Sequence, residues 1–95
     1  GFIKSTPVTV GTGLTVLPGT PLAFRRSLIV YNNDASNTLY IGGSDVTTAN
    51  GLPVPPLSYS PALDNGPKMI LYGISTTSIN VRVLEASNDR GPADT

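Results

Sequence analysis

Nine prolines and ten glycines are spread through the 95 residues of this chain, and they leave no window for a long helix. Proline inside a helix removes a backbone hydrogen bond and clashes with the preceding turn. Glycine there costs roughly 1 kcal/mol relative to alanine. The stretches between these breaks are dense in Val, Ile, Thr, Tyr and Leu, side chains that fit a pleated surface. The chain therefore reads as short strands separated by turns.

The first strand spans Phe2–Val10, with Pro7 marking an edge because it cannot donate to a ladder. A short strand at Leu14–Leu17 ends in the turn pair Pro18-Gly19. Arg26–Asn32 has apolar residues on both faces, Leu28 and Val30 on one and Ile29 and Tyr31 on the other, which predicts a central strand buried on both sides. The polar stretch Asn33–Asn37 has the length of a hairpin loop, so Leu39–Ile41 is expected to return alongside Arg26–Asn32. Gly42-Gly43 ends that strand. Ser44–Pro56 reads as a long loop holding Asn50-Gly51 and a short edge strand, and Leu57–Ser60 as a further short strand. Asp64-Asn65-Gly66-Pro67 has strong turn chemistry. Beyond it come Met69–Ile74, a turn at Thr76-Thr77, and Ser78–Leu84, where Ile79, Val81 and Val83 alternate with Asn80 and Arg82.

Short strands at near-regular spacing predict an all-β domain, a small antiparallel β-sandwich or barrel with a jelly roll among the candidate topologies. Residues 1–85 are expected to form one domain with an N-terminal arm at 1–6. The polar segment 86–95 has no apolar periodicity and is expected to be a mobile tail.

The residue inventory argues against catalysis. The chain has no Cys and no Trp, and no His. This removes the usual general base, thiolate nucleophile and transition-metal ligands. Six Asp and Glu remain, most of them at predicted turns or in the tail, where a solvated role outweighs a carboxylate-pair hydrolase. Gly42-Gly43-Ser44 lacks the Lys and the helix of a phosphate loop. Asp45, Thr47, Thr48 and Asn50 supply too few carboxylates for calcium. No cofactor or metal is expected. Arg25-Arg26 reads as a pair of edge charges that discourage wrong strand pairing. Six Lys and Arg balance six Asp and Glu, so there is no field to steer the chain onto nucleic acid or an anionic membrane. Charged residues make up only 13%, about half the usual share, and a neutral surface rich in Ser, Thr and Asn suits packing against other proteins. The four tyrosines leave glycan binding as a second, less favoured role.

One stretch carries a resemblance. Ser27–Pro55 reads SLIVYNNDASNTLYIGGSDVTTANGLPVP: an apolar strand ending in paired Asn, a polar turn, then LYIGGSDVT–x–x–NG–x–P leading into another apolar strand. The segment Gly66–Glu85 follows with LYGIS and VRVLE. Together these resemble small virion proteins of tailed bacteriophages over about two-thirds of the chain. The resemblance implies a β-sandwich or barrel serving as a capsid decoration (cement) protein or as a tail fibre or spike module. It implies a homo-oligomer, a trimer in the favoured case, and contacts with the major capsid protein or other virion proteins. It carries no catalytic residues. The pattern expects Gly after Pro55-Pro56, where this chain has Leu57.

Both the resemblance and the apolar faces of Arg26–Asn32 point to assembly. The contacts are expected in the two terminal arms, Gly1–Thr6 (Phe2, Ile3) and Ala86–Thr95, and around the long loop Ser44–Pro56. Candidates there are Tyr40, Val46, Leu52, Val54, Leu57 and Tyr59.

Overall fold

Alternation decides which side of each strand is buried, and it is cleanest at the C-terminal end of the domain. In the computed structural model, which describes residues 3–64, 66 and 68–87, the longest strand spans Ile79–Ser87. Its odd-numbered residues are buried: Ile79, Val81, Val83, Glu85 and Ser87. Asn80, Arg82 and Leu84 face outward. Numbered in chain order, the strands are β1 (Ile3–Val10), β2 (Thr15–Val16), β3 (Arg25–Asn32), β4 (Leu39–Gly42), β5 (Leu52–Val54), β6 (Tyr72–Ile74) and β7 (Ile79–Ser87). Among the described residues there is no helix.

The strands form two antiparallel sheets, a three-stranded one in the order β1-β7-β3 and a four-stranded one in the order β2-β6-β4-β5. The fold is thus the sandwich form of the expected all-β class. Its core is aliphatic: Val30, Val81 and Val83 from one sheet meet Leu39, Ile41 and Val54 from the other, with Leu17 and Leu71 from the flanking segments. Gly73 in β6 is required by space. A Cβ there would lie 2.8 Å from Leu17 Cδ1 and 3.2 Å from Leu39 Cδ1.

Several expected pairings are corrected. β3 and β4 do not form a hairpin: β3 pairs with β7, whereas β4 pairs with β5 and β6 in the opposite sheet. The intervening loop satisfies its backbone with its own side chains, so no ladder is needed to hold it. Asn32 Oδ1 accepts from the Asp34 N–H at 3.0 Å, and Asp34 Oδ2 accepts from the N–H groups of Ser36 at 2.9 Å and Asn37 at 2.6 Å. Buried Asn32 also donates through Nδ2 to the carbonyls of Asn37 at 2.8 Å and Val54 at 3.0 Å, tying the two sheets together. Likewise Thr76-Thr77 connects the sheets and is no hairpin, since β6 and β7 lie in different ones. Ser75 braces that crossing, its N–H donating to Gly11 O at 2.9 Å and its hydroxyl to Thr38 O at 3.0 Å.

β3 is also not the centre of its sheet. Its free side is covered by the segment 58–63, through bridges Tyr31↔Tyr59 and Leu28↔Leu63 and a reciprocal pair of 2.8 Å bonds between Leu28 and Leu63. Residues 3–6, expected as an arm, are paired with β7 from Ile3↔Ala86 to Thr6↔Val83. Ala86 and Ser87, expected in the tail, complete β7. Phe2, Asn65, Pro67 and residues 88–95 lie outside the described residues, and with them part of the expected 64–67 turn and most of the tail.

Candidate interaction surface

Cross-strand partners in an antiparallel sheet project to the same face, so the register of the three-stranded sheet maps its outer side. One row runs Pro7, Arg82, Tyr31, Tyr59. The next runs Ser5, Leu84, Ile29 and the third Ile3, Ala86, Ser27. Tyr31 and Tyr59 pack ring on ring, with centroids 4.6 Å apart and planes tilted by 45°. An open depression of about 270 Å³ lies among Ser5, Ile29, Tyr31, Tyr59, Arg82 and Leu84. A smaller one of about 100 Å³ continues it toward Ile3, Ala62 and Ala86. Ile3 is 78%, Tyr59 72% and Leu84 44% exposed. This face is apolar and uncovered, and none of the residues in these rows is acidic.

The expectation that β3 is buried on both sides is therefore corrected. Leu28 and Val30 are in the core, whereas Ile29 and Tyr31 are only half-buried on this open face. Of the residues expected at contacts, Ile3 and Tyr59 belong to it. Tyr40 lies half-buried on the outer side of the four-stranded sheet, opposite Ile74 and Pro53. Leu52, at the β5 edge, is 48% exposed. Phe2 is outside the described residues.

Val46 and Val54 are corrections, because both are buried within the chain and leave no surface for a neighbour. Val54 pairs with Leu39 on the inner face. Val46 closes over two glycines: a Cβ on Gly42 would lie 3.0 Å from Val46 Cγ2, and one on Gly51 only 2.8 Å from it and 2.7 Å from Tyr40 Cβ. The Gly42-Gly43 and Asn50-Gly51 features of the sequence are thus a packing device. The loop between them is held by its own polar groups, with Asn50 Oδ1 accepting from the Thr47 N–H at 2.7 Å and Thr47 Oγ1 from the Ala49 N–H at 3.1 Å.

Leu57 has φ of 54° and Phe24 of 59°, backbone angles that side chains with a Cβ adopt at a cost of roughly 1–2 kcal/mol. Both side chains are more than half exposed, at 55% and 65%. Leu57 stands where the resemblance expects Gly, and its positive φ is the conformation glycine tolerates best.

Arg25 is a further correction. It is not an edge charge but the hub of a buried network. A bulge between Arg25 and Ser27 reverses the phase of β3 there and turns Arg25 inward, while Arg26 is exposed. Arg25 Nη1 donates to Glu85 Oε2 at 3.0 Å, with both side chains fully buried. Arg25 Nη2 donates to the carbonyls of Gly66 at 2.9 Å and Met69 at 3.1 Å. The Leu22 N–H donates to the same Glu85 oxygen at 2.8 Å, whereas Glu85 Oε1 has no partner among the described residues. Arg82 contrasts with it. Its guanidinium donates to its neighbour's carbonyl, Val81 O, at 3.4 Å, and among the described residues no carboxylate pairs with it.

Comparison of the chain with protein-family models, with curated proteins and with solved structures finds no match.

Proposed function

We propose that the chain is a non-enzymatic structural protein of a bacteriophage particle, a decoration protein that stabilises the shell through protein–protein contacts. The observation that carries this reading is the uncovered apolar face of Ile3, Ile29, Tyr31, Tyr59 and Leu84. Soluble monomers rarely leave a contiguous apolar patch of more than a few hundred Å² open, and larger ones mark interaction sites. The sequence supplies no His or Cys for chemistry and no net charge to keep copies apart. The phage-like stretch Ser27–Pro55 supplies the setting, a virion.

Co-sedimentation tests the reading. The purified chain is expected to pellet with shells of its phage, and Ile29→Asp is expected to remain folded and stay in the supernatant. Mass spectrometry of purified particles that finds no such chain would sink it.

A second reading, a fibre or spike module that binds carbohydrate, draws on the Tyr31–Tyr59 pair beside Arg82. Paired aromatic rings next to a hydrogen-bond donor form a platform on which a sugar ring stacks. A glycan array decides it: binding lost in Tyr59→Ala and kept in Tyr40→Ala supports the sugar, and silence across the panel removes it.

A further inference from the structure

Among the described residues, every sheet edge is blunted against strand addition. Pro7 breaks the free edge of β1 at its middle, and Pro53 does the same in β5. β2 has only two residues, and the free side of β3 is covered by 58–63. Proline, shortness and cover are the usual means by which edges are kept from pairing. A partner of the three-stranded sheet must therefore pack on its face.

Among the described residues, the three cross-strand rows of that face hold one charge, Arg82, and no carboxylate. Covering a cation with a purely aliphatic surface would strand it out of water. An aromatic ring offers it a binding surface free of acid, and the same row supplies one. In the order Pro7, Arg82, Tyr31, Tyr59, the proline and the cation occupy one half and the two rings the other. A two-fold axis parallel to the strands and midway between β7 and β3 lays Arg82 over the partner's Tyr31 and Pro7 over its Tyr59. In the next row it lays Leu84 over the partner's Ile29. An axis above β7 would instead oppose Arg82 to Arg82, and one above β3 would leave Ile3 and Pro7 outside. Of these three axes parallel to the strands, only the first makes the face self-complementary.

We infer that the occupant of this face is a second copy of the chain, packed face to face about that axis with Arg82 stacked on Tyr31. The inference rests on the proposal that this face is an assembly surface, and it replaces the trimer implied by the resemblance with an isologous pair. The strands of the two copies run within about 30° of each other, as in other stacked sheets.

Sedimentation velocity up to millimolar concentration, combined with isotope-filtered NOE spectroscopy on a mixed labelled sample, tests it. A monomer–dimer equilibrium is expected, with intermolecular contacts between the Arg82 side chain and the Tyr31 ring. Arg82→Glu is expected to weaken the dimer roughly tenfold or more, and Ile29→Asp to abolish it. Leu52→Ser, an exposed position on the other sheet, is expected to leave it unchanged. A strict monomer, a trimer, or a dimer indifferent to Arg82→Glu and Ile29→Asp would overturn the inference. A monomer that still binds shells through this face would leave the proposed function standing. A dimer with no affinity for shells would remove that function and keep the pair.

Discussion

Strands β1, β7 and β3 carry two faces made from alternate residues of the same segments, and the two are finished differently. On the inner face Val30, Val81 and Val83 meet the second sheet and are fully buried, and the arginine that reaches this side, Arg25, is matched by Glu85 and two backbone carbonyls. On the outer face Ile29, Leu84 and Tyr31 stand one position away in sequence, left open by the described residues, around an Arg82 that none of their carboxylates pairs. Apolar composition is similar on the two sides. What differs is that the inner arginine has a carboxylate and two carbonyls as partners, even though Glu85 Oε1 is left unpaired among the described residues. The difference separates a packed core from a surface open to a partner.

The sharpest way to break the comparison is at the inner pair. Removing one partner leaves an uncompensated buried charge, so Arg25→Met or Glu85→Gln is expected to cost about 3–5 kcal/mol in urea unfolding. The double change Arg25→Met/Glu85→Leu is expected to remain destabilised, because the Leu22 N–H and the Gly66 and Met69 carbonyls lose their partners as well. Full recovery in the double variant would show that the network does no more than fill space.

Adjacent residues of β7 give the next contrast. Val83→Ala is expected to lower stability by about 2 kcal/mol, and Leu84→Ala by less than about 0.5 kcal/mol in dilute solution, where its effect falls on association. Equal losses would mean that the outer face is already packed within one chain.

Leu57 sharpens the comparison from the other direction. Leu57→Gly relieves the left-handed backbone and is expected to raise stability by about 0.5–1 kcal/mol, net of glycine's greater freedom when unfolded. A loss of stability would show that the Leu57 side chain packs usefully within the monomer.

The smallest effect concerns the loop that carries the chain between sheets. Hydrogen bonds from the backbone N–H groups of Ser36 and Asn37, and then from the Asn37 side chain, hold the Asp34 carboxyl below its ordinary value of 3.8. A depressed folded-state value contributes stability that is complete above the unfolded value and is lost as pH falls through the folded one. The thermal midpoint is therefore expected to fall below about pH 4, and Asp34→Asn to flatten that acid limb.

The sequence was legible wherever alternation ran unbroken. β7 shows it best: the alternation of Ile79, Val81 and Val83 reads as far as Leu84, and the strand carries it on through Glu85, which places a carboxylate inside and demands a cationic partner. The partner was hidden because the bulge at Arg25 reverses the phase of β3, so a strict period of two would have turned Arg26 inward. Pairing was equally hidden. The loop after Asn32 has the length of a hairpin, yet side-chain bonds from Asn32 and Asp34 meet its backbone needs and free the chain to change sheets. Apolar residues of the segment read as a loop misled in the same way, since Val46 and Val54, the latter in β5, are buried within the chain. Ile3 and Tyr59 do lie at the surface, although Ile3 does so on a paired strand and not on the expected arm. The outer face as a unit was not, because it is assembled from four segments brought together only by the register.

Hydroxyl-radical footprinting puts that face to the most direct test, comparing the dilute chain with the same chain bound to shells or self-associated at high concentration. Tyr59, Tyr31 and Leu84 are expected to become protected, while exposed Leu52 and Met69 remain as reactive as before. Unchanged labelling of Tyr59 and Leu84, with protection appearing at Leu52 or Met69 instead, would contradict the assignment of the outer face of β1-β7-β3 as the surface through which this protein assembles.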